Sequence, residues 1–390
     1  MDAFRNPFAP GAGSPPPELA GRSAILNQAE VTLGRTQRGR HSKSVLIVGL
    51  RGVGKTVLLN RIREIADEQG YVAEMIEAPE NKSLAALITP AIRSLILRLD
   101  RGEQVGSAAR KAFRVLRGFA AAIKVTYNDI EISLDGETEP GIADTGDLEI
   151  DFPDLLVALG EAAKERGTAA ALIMDELQYL SEVEMSALIV GMHKVAQRQL
   201  PLILFGAGLP QLVGLTGRSK SYAERLFDFP VAGPLSLDDA RIALRAPAQE
   251  EGADFTEPAI RRIHDLTEGY PYFLQEWGYH AWLASQTAQI GVADADRATP
   301  EAVAALDRSF FRVRFDRLTP AEKRYLKGMA ALGPGPHRSG DIAHQLGVRV
   351  NSTGPVRASL IKKGMVYSPA HGDTAFTVPL FDQFMARTMP

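Results

Sequence analysis

G-L-R-G-V-G-K-T, residues 49–56, decides how the rest of the chain is read. It fits G-x-x-x-x-G-K-[ST], a pattern in which each fixed position has a mechanical task. Gly49, Gly52 and Gly54 let main-chain N–H groups converge on a phosphate without side-chain obstruction. Lys55 reaches β- and γ-phosphates, Thr56 sets a hydroxyl on a magnesium ion, and Val53 and Val57 belong to the same cradle. Ahead of the loop, Ser44–Val48 (S-V-L-I-V) is the apolar run a buried strand needs. Behind it, Val57, Leu58, Ile62, Ile65 and Ala66 recur at helical spacing as far as Gly70. Strand, glycine loop, helix is the arrangement that sets a helix N-terminus against a phosphate, so the sequence predicts a nucleotide-binding protein.

A chain of 390 residues has room for two or three domains with substantial cores. Its 45% hydrophobic and 23% charged residues are those of an ordinary globular protein. No apolar run approaches the length of a membrane span, and Met1–Glu18 lacks a hydrophobic signal core. The expectation is a cytoplasmic protein with no membrane partner. The absence of cysteine excludes disulfides and Cys-ligated zinc, and no two of the seven histidines stand at metal-ligand spacing. The net charge of −3 conceals an asymmetry. Residues 307–390 carry thirteen Lys/Arg against six Asp/Glu, whereas residues 126–155 carry ten Asp/Glu and neither Lys nor Arg. A basic end favours a polyanionic partner, and the acidic stretch repels one.

Periodicity predicts an irregular, proline-rich arm over Met1–Ala20 and a helix over Gly21–Arg38. Further strands are expected at Tyr71–Glu77, Ala169–Met174, Pro201–Gly206 and Leu226–Val231. Helices are expected at Ser83–Leu99, Ala108–Ile123 (basic, with Arg110, Lys111, Arg114 and Arg117), Asp154–Arg166 and Val183–Arg198. Val125–Leu134 alternates like an edge strand, and Asp135–Gly146 is a turn-rich acidic insert read as a solvated loop. Strands alternating with helices give an α/β class with a parallel five-stranded sheet. After Pro234 the texture is helical, with Ser236, Thr256, Thr299 and Thr319 at expected N-caps. Pro300 and Pro320 fall at first-turn positions, and Glu322 completes a capping box with Thr319.

Binding phosphates is not hydrolysis, which also needs an acid to hold metal and a polarised water. Leu172-Ile173-Met174-Asp175-Glu176 offers both: Asp175 at a strand tip to hold magnesium, mostly through water, and Glu176 as general base. The pair also precedes a helix, where two carboxylates can serve as a cap. Arg225, with Arg218 second, is the candidate to neutralise charge in a neighbouring subunit's site; a surface ion pair is the other reading.

These residues together resemble the AAA+ ATPases nearest the origin-recognition initiators and the STAND signalling ATPases. Leu19-Ala20-Gly21-Arg22 resembles the Gly-Arg box that lies over adenine in that group, and the phosphate loop and D-E strand match in order and spacing. Leu202–Pro210 resembles the strand carrying the sensor position, and Gly269-Tyr270-Pro271 resembles the lid element whose proline packs on the base. The resemblance implies ATP and magnesium as cofactors, with Gly21, Arg22, Tyr270 and Pro271 at the nucleotide. It departs from the group where a polar sensor is usual, since this chain has Gly206, Ala207 and Gly208. No lid arginine clearly matches the second sensor, with Arg261 and Arg262 as the candidates. These departures imply slow hydrolysis or a nucleotide used chiefly as a switch.

At the basic end, helices are expected over Thr319–Leu332, Ser339–Leu346 and Val350–Lys363, and strands over Gly364–Ser368 and Thr374–Val378. This is the order of a winged helix-turn-helix. On DNA, the third helix would present Asn351, Ser352, Thr353 and Arg357 to the duplex, with Lys362 and Lys363 on phosphates and His371 at the wing tip. The resulting division is an arm with the Gly-Arg box helix (1–43), an ATPase core (44–235, acidic insert 126–153), an all-α lid (236–316) and a winged helix (317–390). Two functions fit: an ATPase whose nucleotide controls a domain that binds double-stranded DNA, or a signalling ATPase whose winged helix is autoinhibitory or contacts protein. An unidentified protein partner and a nucleotide-dependent homo-oligomer are compatible with either.

Overall fold

A computed structural model describes the chain except residues 12–14, 41, 81, 101–105, 125, 128–129, 132–135 and 390. At residues 126, 127, 130 and 131 it describes the main chain alone. The described residues form two compact units, each with its own packing.

One unit, residues 24–48 and 58–231, is built on a sheet. Its elements are α1 (Ser23–Gln37), β1 (Ser44–Val48), α2 (Lys55–Glu68), β2 (Val72–Glu77), α3 (Leu84–Leu99), α4 (Ser107–Ala122), β3 (Thr126–Tyr127) and β4 (Ile130–Glu131). There follow α5 (Leu148–Glu165), β5 (Ala170–Asp175), α6 (Glu182–Gln197), β6 (Leu202–Gly208), α7 (Gln211–Ser219), α8 (Ala223–Leu226) and β7 (Phe227–Asp228). The five main strands run in the order β2-β5-β6-β1-β7, every pair parallel. Their sequences explain the arrangement: β1, β5 and β6 are buried along their whole length, as strands covered on both faces must be. The edge strand β2 is only partly covered. Because all five are parallel, β1 and β5 end at the same edge, with β6 between them.

The expected edge strand at 125–134 falls largely outside the described residues. Its two described pieces, β3 and β4, pair with each other and not with the main sheet. The acidic insert, expected to be solvated, is mostly exposed where it is described and also touches the basic helix. Arg114 meets Glu139 at 2.6 Å, Arg117 donates to the carbonyl of Glu137, and Ala143 is buried. Asp151 is fully buried yet satisfied, accepting from the N–H and hydroxyl of Thr145 and the N–H of Gly146. That carboxylate, with Asp147 as N-cap, starts α5 six residues before the expected Asp154.

The other unit comprises residues 1–23, 49–57 and 232–390. It contains α9 (Leu237–Glu250), β8 (Asp254–Phe255), α10 (Glu257–Thr267), α11 (Pro271–Ala284), β9 (Gln289–Ile290), α12 (Val292–Leu306) and a π-helical turn, Asp307–Phe311. Next come α13 (Arg312–Asp316), α14 (Pro320–Ala331), β10 (His337–Arg338), α15 (Ser339–Gln345), α16 (Val350–Lys362), β11 (Val366–Tyr367), β12 (Asp373–Phe376) and α17 (Phe381–Thr388). Ser236, Thr256 and Thr319 cap helices, the last in a reciprocal box with Glu322. Thr299 does not cap a helix. It lies inside α12, its hydroxyl donating to the Ala295 carbonyl and accepting from the Trp277 indole, so Pro300 is interior as well. The helix starts earlier because Asp294 folds back to accept the N–H of Gly291.

In the C-terminal part, β10-β12-β11 form an antiparallel sheet of three strands. Neither β10 nor α17 is visible in the sequence pattern. Phe381 and Phe384 of α17 pack on Phe311 of the π-helical turn at 5.8 and 5.2 Å between ring centres. The N-terminal arm is also seated. Phe8 is buried edge-on against Phe255 at 5.8 Å, and Asn6 donates to the Tyr279 carbonyl. At Gly278 a Cβ would stand 2.7 Å from the Phe8 ring, so only glycine lets α11 accept it.

Candidate functional site

The phosphate loop leaves the carboxyl end of β1 and runs into α2. Gly52 (φ 81°) and Gly54 (φ 87°) occupy the left-handed region that side chains rarely adopt. At Gly49 a Cβ would collide with the carbonyl of Ala232, so that position too admits only glycine. Lys55 is 7% exposed, and its ammonium donates to the carbonyls of Gly49 and Leu50 at 3.0 and 2.9 Å. Val53 is buried, and Thr56 and Val57 are half-buried in the first turn of α2.

Four further segments hold this loop. Arg22 is buried, its guanidinium donating to the carbonyls of Val53 (3.2 Å) and Gly233 (2.5 Å). Burial lowers its pKa, and the nearby Asp239 carboxylate opposes that shift. Gly21 (φ 69°) precedes it, where a Cβ would stand 2.8 Å from the same carboxylate. Pro271 opens α11, a position where its missing N–H costs nothing. One residue on, the Tyr272 N–H, which has no partner within the helix, donates to the Gly52 carbonyl at 3.2 Å. Tyr272 stacks on Phe310, 4.8 Å between ring centres, and a Cβ on Gly52 would stand 3.5 Å from the Tyr272 Cβ and 3.7 Å from the edge of the Phe310 ring. Tyr270 is buried, its phenol pushed up to about 12 by burial, with Glu268 and Tyr367 adding to the shift. Finally, Arg51 donates from its main chain to the Thr377 carbonyl at 3.1 Å and from its side chain to the Gly364 carbonyl at 3.2 Å.

In the sheet unit, Asp175 ends β5 and is 3% exposed; one of its carboxylate oxygens accepts the N–H of Glu176 at 2.8 Å. Glu176 has φ 57° and ψ 36°, a strained conformation for a non-glycine residue. The Gln178 amide donates to the Glu176 carboxylate, and its oxygen accepts the N–H of Leu209 at 3.0 Å. Arg225 lies exposed in α8, and Arg218 forms an exposed ion pair with Glu182. Arg261 is exposed, while Arg262 pairs with Asp296 at 2.9 Å.

Within α16, Asn351, Ser352 and Lys362 are exposed, whereas Thr353 is buried. Arg357 is used internally: it donates to the Thr374 hydroxyl (2.7 Å), the Ser368 hydroxyl (2.9 Å) and the Asp373 carbonyl (2.8 Å). Lys363 meets the buried Glu322 at 2.8 Å. His371 is exposed. The sequence reading missed Arg51, Gln178, Tyr272 and Phe310. Of these, only Tyr272 carried a signal, its place beside Tyr270-Pro271.

Residues 18–205, just under half of the chain, match the family model described as AAA ATPase domain. Residues 308–385 match a domain of unknown function, DUF8462. No curated protein matches the chain. Among solved structures, the Walker-type ATPase PABY2304 of Pyrococcus abyssi aligns over 94% of this chain and 96% of its own, with TM-score 0.59 and 16% identity. Cdc6p from Pyrobaculum aerophilum aligns over 99% and 97%, with TM-score 0.50 and 17% identity. The parallel five-stranded sheet with its phosphate loop is therefore the fold of P-loop AAA+ ATPases. Among the described residues no helix is long and apolar enough to cross a membrane.

Proposed function

We propose that the protein binds and hydrolyses ATP and uses the nucleotide as a switch on its C-terminal region. The observation that carries this reading is the pair of attachments on the phosphate loop. Gly52 is hydrogen-bonded to α11, and Arg51 to Gly364 and Thr377. Any ligand that reshapes the loop therefore acts on both segments, and by linkage each of them acts on ligand affinity. In this reading residues 44–235 are the ATPase core, 236–316 the lid and 317–390 a winged helix, with 1–43 supplying the Gly-Arg box.

The loop fits a triphosphate. Its glycines hold the required backbone, and nothing lies within 4 Å of where a Cβ on Gly54 would stand. Lys55 would exchange its two loop carbonyls for the β- and γ-phosphates, and Thr56 and Asp175 would hold magnesium. The metal, when bound, would supply neutralisation of phosphate charge. Glu176 would accept the proton of the attacking water, and Arg225, which is exposed, would serve the site of a neighbouring copy. Gly21, Arg22, Tyr270 and Pro271 would line the base.

For the partner we favour double-stranded DNA. The helices α14, α15 and α16, followed by β11, a turn and β12, support a winged helix, and α16 carries exposed Asn351, Ser352 and Lys362 on a region of net positive charge. The test is titration onto labelled duplex DNA at two salt concentrations, with and without ATP. A steep fall with salt and an affinity that changes several-fold with ATP are expected. Negligible duplex affinity, with turnover raised by deleting residues 317–390, would transfer the reading to a signalling ATPase restrained by its C-terminus.

A further inference from the structure

We propose that Gln178 is a positioning residue for the Glu176 carboxylate, tying it to the carboxyl end of β6. The proposal rests on reading Glu176 as the general base. Three observations meet here. The left-handed backbone at Glu176 is followed by one tight turn, Leu177–Tyr179, which carries Gln178 back toward the carboxylate. Both ends of the Gln178 amide are then used, the nitrogen donating to Glu176 and the oxygen accepting from Leu209 just beyond β6. Flipping the amide would set oxygen against carboxylate and NH2 against N–H, so the two partners fix one orientation.

The third observation explains the glycines of β6. At Gly206 a Cβ would stand 2.7 Å from Leu46 and collide with Leu177. At Gly208 it would stand 2.9 Å from the Gln178 amide oxygen and equally close to Leu212. The Leu177–Gln178 turn thus fills the space above the strand where a side chain would otherwise project. No polar group can come from those β6 positions without displacing it, and Gln178 supplies one from the neighbouring strand's turn. A free glutamate samples several rotamers, whereas a base must stand within hydrogen-bond reach of its water. The tie to Leu209 selects one rotamer, and a shift at the end of β6 is passed directly to the carboxylate.

Two variants test this. Gln178→Glu keeps an oxygen for the Leu209 N–H but removes the donor to Glu176, and Gln178→Ala removes both. Each should lower kcat for ATP about tenfold while KM stays within about twofold, since neither change removes a group assigned to binding the nucleotide. Hydrogen exchange at the Leu209 amide should accelerate in Gln178→Ala and remain slow in Gln178→Glu, a readout independent of turnover. Gln178→Glu keeps the β6 contact and so guards against simple misfolding. Glu176→Gln is measured alongside. If it loses turnover while both Gln178 variants match wild type, the positioning role is wrong and the base assignment stands. If Glu176→Gln turns over normally, the base assignment falls and the proposal with it.

Discussion

The Arg51 side chain donates to the carbonyl oxygen of Gly364 at 3.2 Å, across 313 residues of sequence. Arg51 occupies a variable position of the phosphate-loop pattern, so nothing in nucleotide binding itself demands an arginine there. Its main-chain N–H reaches Thr377 as well, and Thr377 in turn donates its hydroxyl to Gly364 at 2.6 Å. The loop and the β11–β12 region are stitched together at adjacent points.

Arg51→Ala removes the side-chain half of that stitch and leaves the main-chain half. A hydrogen bond from a charged donor is worth about 1.5–3 kcal/mol, less at a half-exposed site such as this one. Amide exchange over residues 364–378 should quicken roughly fivefold without nucleotide, with ATP binding retained. Equal exchange in variant and wild type would show that the contact carries no energy.

Lys55→Ala should weaken magnesium-ATP binding at least about a hundredfold by calorimetry, because it removes the ammonium the pattern assigns to the terminal phosphates. Glu176→Gln should bind ATP as wild type does and lose turnover by about two orders of magnitude, the usual worth of a general base. A Glu176 variant that binds poorly would point to a structural role for the strained turn.

Glu322 gives the clearest pH dependence. Burial pushes its carboxyl upward, but Lys363, the Thr319 N–H and the Ser359 and Thr319 hydroxyls outweigh burial and bring it to about 2 from 4.5. A depressed folded value contributes stability that is complete above the unfolded value and is lost as pH falls from about 4.5 to about 2. The contribution is about 3 kcal/mol. Lys363→Met should cost a similar amount at pH 7, by stranding a buried carboxylate. In urea melts the gap between variant and wild type should narrow at pH 3. A gap constant with pH would place the loss in packing instead.

On duplex DNA, Lys362→Ala should reduce the slope of log affinity against log salt by about one unit and leave stability unchanged. Arg357→Ala should act differently, since this guanidinium braces Ser368, Asp373 and Thr374. It should lower thermal stability and weaken binding to all sequences alike. A salt slope altered by Arg357→Ala without loss of stability would make it a phosphate contact after all.

The fold was largely legible because its strands are unbroken apolar runs and its loop obeys a strict pattern. Ser44–Val48, Ala170–Asp175 and Leu202–Gly208 are buried on both faces, and no other element type suits such short runs. What stayed hidden depends on distant partners. Thr299 followed by Pro300 reads locally as a helix start, yet Asp294 begins the helix earlier and Trp277 claims the threonine hydroxyl. The acidic insert reads as solvated, and mostly is, but its contacts with Arg114 and Arg117 could not be read from local spacing. At the site, Lys55, Asp175 and Glu176 are named by motif. Arg51 and Gln178 matter only through Gly364 and Leu209, which no local spacing can anticipate.

The seat of Phe8 has a practical corollary for anyone producing this protein. The ring fills a slot that Gly278 leaves open beside Phe255, so removing residues 1–8 would empty that slot on α11. Emptying such a slot costs about 3–5 kcal/mol, enough to soften the very helix whose first turn grips Gly52.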